Sequence, residues 1–162
     1  MHYGTIKTND VANGEGVRVT LFVSGCTTNC PGCQNPEAQK FNYGAPFDSE
    51  AMEVIEEELR KPWVQGLTFC GGEPLHYMNA PTVTDIARRV KLAYPDKDIW
   101  CYTGYTYGEI PKTLLEDMDV LVDGEYDESR KDPSLWFRGS SNQRIIDVQE
   151  SLRKGSVVLW KM

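Results

Sequence analysis

Apolar positions along this chain switch between a period of two and a period near 3.6, and the switches predict an alternating α/β layout. Val17 to Ser24 reads as a β-rich strand, alternating at first and then almost continuously apolar, as an interior strand would be. Residues 25–47 carry glycines and prolines without periodicity and form a long loop. A helix is expected from Ser49 to Lys61, with Asp48 as N-cap and Phe47 and Met52 placed as a hydrophobic staple. Met52, Ile55 and Leu59 line one face of it, and Glu53, Glu56, Glu57 and Glu58 are expected mostly outward. Gly66 to Cys70 is a short strand, and Pro81 to Tyr94 a second helix with Val83, Ile86, Ala87 and Val90 on its buried stripe. Asp98 to Thr103 and Asp119 to Asp123 are two further strands, with a weaker helix over Tyr107 to Glu116.

This order implies parallel strands with crossover connections. The pattern breaks after Asp123, so residues 1–162 read as one domain whose residues 124–162 form an irregular C-terminal extension. Short β-like runs recur there near Arg144 to Val148 and Ser156 to Trp160. The cysteine-bearing loop, Gly71-Gly72-Glu73, Thr103-Gly104 and Asp123-Gly124 each follow the carboxyl end of a strand. That rim is where parallel α/β sheets and barrels bind ligands.

Composition adds mainly exclusions. A chain of 162 residues with 40% hydrophobic and 25% charged residues suits one ordinary core. The net charge of −7, with no long basic block, argues against nucleic acid as the main partner. No apolar run approaches a membrane span, and no targeting segment is visible, so no membrane partner is expected and the cytoplasm is the expected compartment.

The candidate chemistry lies in Cys26, Cys30 and Cys33, spaced C-x3-C-x2-C directly after the first strand. A cubane [4Fe-4S] cluster is usually closed by four thiolates. Three on one loop hold three corners and leave an iron free to bind a substrate or cofactor. A structural zinc site needs four N or S ligands. The remaining candidates, His2, His76, Cys70 and Cys101, do not stand at zinc-finger intervals from the loop. An odd count of five cysteines in a chain without a signal segment disfavours disulfides. An electron carrier would ordinarily supply a fourth cysteine. Cys70 and Cys101 sit inside strand patterns and read as small core residues. His76 receives no role. Arg18 reads either as support for the cysteine loop or as a strand-surface arginine, and Trp100 and Trp136 read as packing residues.

These residues resemble the radical S-adenosylmethionine (SAM) enzymes, whose shared mark is the C-x3-C-x2-C loop followed by Gly-Gly-Glu after the next strand. Asn13 to Arg18, Thr20 to Cys26, Cys30-Pro31-Gly32-Cys33 with Asn35, Gly71 to His76, and Lys97 to Trp100 through Thr103-Gly104-Tyr105 carry the likeness. Asp132 to Leu135 and Arg138 to Gln143 narrow it to the branch that activates anaerobic ribonucleoside-triphosphate reductase. Gly32 stands where the superfamily commonly has an aromatic, as it does in this branch. Gln34 stands where the branch often has one.

The resemblance implies an α/β fold built as a parallel-stranded partial (β/α) barrel of radical SAM type. It implies that Cys26, Cys30 and Cys33 ligate a [4Fe-4S] cluster whose open iron binds the amino and carboxylate groups of S-adenosyl-L-methionine. One electron then splits the sulfonium, and the 5′-deoxyadenosyl radical takes hydrogen from a glycine of the reductase. On the same footing Gly71 and Gly72 approach the methionine end, and Glu73 pairs with its ammonium. Gly32, Cys33 and Gln34 flank adenine, and Thr103 and Asp123 meet ribose or the methionine carboxylate, unless they are ordinary turn residues. Arg138, Ser140, Ser141 and Asn142 belong to a docking loop for the reductase or to a structural turn. A flavodoxin-like protein is the implied electron donor. The alternatives are an activase of another glycyl-radical enzyme such as pyruvate formate-lyase, a radical enzyme acting on a free metabolite, and a non-enzymatic iron–sulfur carrier.

Overall fold

A computed structural model of the protein describes residues 1–27, 32 and 36–162. Strands β1 (His2–Asp10), β2 (Val17–Val23) and β3 (Ala45–Pro46) precede helix α1 (Ser49–Leu59). Strand β4 (Val64–Gly71), helix α2 (Ala80–Ala93), and strands β5 (Asp98–Tyr102) and β6 (Val120–Asp123) follow, and β7 (Arg144–Asp147) with α3 (Val148–Lys154) completes the series. All seven strands join one sheet in the order β3-β1-β2-β4-β5-β6-β7.

The expected strands β2, β4, β5 and β6 are mutually parallel and central. The sheet as a whole is mixed rather than parallel, because β1 and β3 add antiparallel pairs on one side and β7 pairs antiparallel with β6 on the other. Its two ends, β3 and β7, are not paired with each other among the described residues. No helix among the described residues is long and apolar enough to cross a membrane.

Side-chain alternation sorts the sheet into two faces. Val19, Leu21, Val23, Leu67, Phe69, Ile99, Cys101 and Leu121 belong to the large core with the apolar stripes of α1 and α2. The alternate positions Trp100, Val120, Val122 and Ile145 form a second cluster with Tyr102, Phe137 and Trp160 packed against it. Arg18 also lies on this second face and is fully buried. Its guanidinium donates to Thr68 Oγ1 (2.7 Å), to the carbonyls of Glu15 (2.8 Å) and Leu67 (3.1 Å), and to Asp98 Oδ1 (2.6 Å). Burial lowers its pKa and Asp98 opposes that. Arg18 is thus not on the strand surface, and none of these bonds reaches the described part of the cysteine loop. The guanidinium bolts the amino ends of β2, β4 and β5 together.

Several sequence expectations change for local reasons. Asp48 does cap α1, accepting from Ala51 N at 2.9 Å. Glu56, expected outward, is buried and pairs with Arg89 Nη2 of α2 at 2.5 Å. The helix expected over Tyr107 to Glu116 is two short 3-10 turns, Tyr107–Glu109 and Lys112–Leu114. Pro111 forces Ile110 into an extended conformation (ψ 127°) and breaks the run. Val148 opens α3 rather than ending a strand, since Asp147 accepts from Glu150 N as N-cap. Gly155, at φ 74°, ends that helix, and the run after it pairs with β7 through the isolated bridge Ile146–Leu159 instead of forming a strand.

Candidate active site

The carboxyl ends of β2 and β4 are sewn together by backbone. Gly72 N donates to Val23 O (2.8 Å) and Glu73 N to Gly25 O (2.7 Å), while Gly25 N donates to Ala38 O (2.6 Å) and Cys26 N to Gln39 O (3.1 Å). Both ends of the cysteine-bearing loop are therefore anchored beside the Gly-Gly-Glu segment. Glycine is required here for two reasons. Gly71 has φ +103°, and a Cβ on Gly72 would stand 2.6 Å from Gly25 O and 2.8 Å from Ala38 O.

Glu73 is 1% exposed. Its carboxylate accepts from Gly104 N (2.6 Å), Thr103 Oγ1 (2.8 Å) and Leu75 N (3.0 Å), tying the loop after β4 to the loop after β5. Burial raises its pKa, against the opposing pull of these three donors. Asn79 Nδ2 adds a second tie, donating to Ser24 O and Glu73 O at 3.0 Å each. His76 is buried in the intervening turn between the rings of Phe41 and Tyr77, and its Nδ1 accepts from Met78 N at 3.2 Å.

A cavity of about 380 Å³ opens at this rim. Of the expected site residues, Cys26, Gly71, Gly72, Glu73, Thr103 and Arg138 line it. Asp123 does not. Its oxygens accept from Arg144 Nε (3.0 Å) and Nη2 (2.6 Å) and from Tyr107 N (2.8 Å), which holds the start of the extension to β6. Gly32 is exposed, at φ +71°, and faces the Glu128 carboxylate. Cys30, Cys33 and Gln34 lie outside the described residues. Ser140, Ser141 and Asn142 are not in the lining. Ser140 Oγ accepts from Asp127 N (3.1 Å), Ser141 Oγ from Arg130 Nε (3.0 Å), and Asn142 Nδ2 donates to Glu125 O (2.8 Å). The run from Arg138 to Gln143 is thus bonded largely within the extension.

Other lining residues were not anticipated. Ala12 and Asn13 arrive from the β1–β2 connection, and Tyr126, Leu135 and Phe137 from the extension. Cys70 and Tyr102 line it from the second face of β4 and β5. Alternation could have found Tyr102, because Cys101 in the helix-covered core obliges its neighbour to face the other way. The Tyr102 hydroxyl is buried without a hydrogen-bond partner among the described residues. Burial pushes the Tyr102 phenol well up and the Cys70 thiol up to about 12, so both stay neutral. Cys101 is a core residue, as expected, and its thiol is likewise pushed far up by burial, whereas Cys70, also expected in the core, is half-buried on the cavity wall because it stands near the end of β4 on the opposite face. Trp100 is fully buried as expected, whereas Trp136 is 71% exposed and packs into no core.

Whether these residues suit an iron–sulfur cluster and a small organic cofactor can be judged from the donor set. Cys26 is a half-buried thiol facing the cavity, beside segments whose backbone approaches closely. The volume falls in the range of roughly 300–1,000 Å³ usual for small-molecule sites. The orphan hydroxyl of Tyr102 marks polar demand within it. The fit is good.

Comparison with known proteins supports the iron–sulfur cluster. Residues 12–146 match the family model described as a 4Fe-4S single cluster domain. The chain is 43% identical over 152 residues to the anaerobic ribonucleoside-triphosphate reductase-activating protein of Pasteurella multocida, covering 90% of this chain and 96% of that one. It is 45% identical over 150 residues to the protein so named in Haemophilus influenzae and 41% identical over 150 residues to that of Escherichia coli K12, each match covering 90% of this chain and 97% of the relative. The chain belongs to the family of anaerobic ribonucleoside-triphosphate reductase-activating proteins and carries its single-cluster 4Fe-4S domain.

Proposed function

We propose that this protein is a radical SAM enzyme that installs a glycyl radical on anaerobic ribonucleoside-triphosphate reductase. In this reading Cys26, Cys30 and Cys33 hold a [4Fe-4S] cluster, and S-adenosyl-L-methionine occupies the cavity beside it. The four parallel strands form the core of a partial (β/α) barrel whose carboxyl rim is the site. When bound, the two groups supply a one-electron cleavage to methionine and a 5′-deoxyadenosyl radical, which takes hydrogen from the glycine α-carbon. The electron comes from a low-potential donor of flavodoxin type, and the setting is the cytoplasm.

The observation that carries the reading is the coupling of Cys26 to Gly71-Gly72-Glu73 through the bonds Gly72 N–Val23 O and Glu73 N–Gly25 O. Those bonds keep a cysteine ligand and a glycine backbone on one cavity wall. Gly71 and Gly72 offer backbone to the methionine end. Glu73, with its carboxylate already accepting three protein donors, positions that backbone as well as adding negative potential for an ammonium. Thr103 serves the same tie through its hydroxyl. The names of the relatives favour the reductase.

The test is anaerobic reconstitution with iron and sulfide, reduction, and electron paramagnetic resonance with and without S-adenosylmethionine. The proposal expects a reduced four-iron signal that shifts on addition of the cofactor, release of 5′-deoxyadenosine, and loss of the cluster in C26A. A cluster indifferent to S-adenosylmethionine would leave an electron carrier as the better reading.

A further inference from the structure

Residues Tyr126–Arg130 of the extension meet the cysteine loop at one point. Gly32, at φ +71°, lies between Cys30 and Cys33 in the sequence. A Cβ added to it would run into Glu128 Oε2 and would stand 2.8 Å from Glu128 Cδ and 3.3 Å from Cγ. The Glu128 carboxylate therefore fills the space that a side chain at position 32 would take.

Glu128 is held in that place. Tyr126, which lines the cavity, donates its hydroxyl to Glu128 Oε2 at 2.5 Å. Glu128 opens a short 3-10 turn, Glu128–Arg130, whose N-cap Asp127 accepts from Ser129 N (3.0 Å) and Ser129 Oγ (2.6 Å). The turn is fastened to the extension in its own right: Ser141 N donates to Arg130 O (3.0 Å), Asp127 N donates to Ser140 Oγ (3.1 Å), and Lys131 bridges Ser140.

Gly32 is bonded directly to Cys33 and is two positions from Cys30, so a group packed on it restricts where both thiols can go. The same group brings a negative charge to within a residue or two of them. The potential of an iron–sulfur cluster follows the charge around it, and a carboxylate nearby opposes the arrival of an electron.

We propose that Glu128 is a positioning residue for the cluster: packed on Gly32 and held by Tyr126, it seats the cysteine loop against the C-terminal extension and keeps the cluster's reduction potential low. This rests on the ligand assignment made above and goes beyond it by giving the extension a part in tuning the cluster.

The experiment compares the reconstituted full-length protein with E128Q, E128A and, as a control for net charge, E57Q at an exposed position of α1. Two quantities are read anaerobically, without S-adenosylmethionine or reductase. They are the potential of the one-electron cluster couple, titrated with a low-potential chemical reductant at low ionic strength, and the rate at which an iron chelator strips the cluster. E128Q keeps the shape and an acceptor for Tyr126 but loses the charge. Reduction should become about three- to tenfold more favourable in E128Q, a rise of about 28–59 mV at about 59 mV per tenfold, with stripping near that of the unchanged protein. E128A should show the same rise and be stripped about three- to tenfold faster. E57Q should match the unchanged protein in both. In G32A the methyl displaces Glu128, so adding E128A to it should alter stripping much less than E128A does alone. A potential in E128Q equal to that of the unchanged protein, or a rise matched by E57Q, overturns the proposal. So does a stripping rate in E128A no faster than in E128Q. E128Q decides the matter if E128A takes up no cluster. Absence of 5′-deoxyadenosine from the unchanged protein would refute the enzymatic reading and leave these two measurements standing, whereas retention of the cluster in C26A would refute the ligand assignment.

Discussion

Replacing Glu73 isolates the tie between the loops after β4 and β5. In E73A, Gly104 N, Leu75 N and Thr103 Oγ1 lose their shared acceptor in a site that is 1% exposed. A buried donor left unpaired costs about 1–3 kcal/mol. The Thr103 hydroxyl can rotate toward another acceptor, and removal of a buried charge returns part of the loss, so roughly 3–5 kcal/mol is expected rather than the full sum. E73Q keeps one acceptor oxygen but sets an amide donor against a donor, for about 1–2 kcal/mol. At about 2–4 °C per kcal/mol for a domain of this size, thermal unfolding of the cluster-free protein separates the two variants.

The pH dependence has a definite sign. Burial raises the folded-state pKa of Glu73, so the folded state binds more protons than the unfolded one above the unfolded value of about 4.3. The stability advantage of the native chain over E73Q should therefore shrink as pH rises through that window and level off above the folded-state pKa. A loss below about 0.5 kcal/mol in E73A would refute the claim that this carboxylate joins the two loops.

Arg18→Met removes the guanidinium from four acceptors and leaves Asp98 without its partner. It should cost about 3–5 kcal/mol in urea unfolding, and a loss under about 1 kcal/mol would deny Arg18 its structural role. Alkylation of the metal-free protein at pH near 8, mapped by mass spectrometry, should label half-buried Cys26, label the equally half-buried, cavity-lining Cys70 more slowly because its thiol is held neutral, and spare buried Cys101 until the chain unfolds. Gly72→Ala would place a methyl 2.6 Å from Gly25 O, forcing the two loops apart. About 1–3 kcal/mol of destabilisation is expected, together with weaker S-adenosylmethionine binding by equilibrium dialysis.

Strong local signals carried the sequence reading furthest. The apolar run of β2 and the stripes of α1 and α2 set those elements to within a few residues, and with them the position of the cysteine loop and Gly71-Gly72-Glu73 on one rim. Strand β1 escaped because Ile6 is its only aliphatic residue, so no alternation betrays it and its pairing with β2 decides its conformation. The seven residues of α3 are too few for a helical period to show. Charged residues misled where their partners are distant. Arg18 meets Asp98, Glu56 meets Arg89, and Asp123 meets Arg144, each pairing fixed by topology rather than by spacing. At the site, Thr103 was legible as a strand-end residue, but its bond to Glu73 spans 30 positions. Trp136, expected to pack, is turned outward by the backbone of Phe137, which no periodicity encodes.

The most direct measurement of the proposed chemistry uses reductase labelled with α-deuterated glycine, mixed anaerobically with the reduced, reconstituted protein and S-adenosylmethionine. Deuterium appearing in 5′-deoxyadenosine, together with a glycyl radical signal on the reductase, is the expected result. Unlabelled 5′-deoxyadenosine with no radical on the reductase would contradict hydrogen transfer from that glycine.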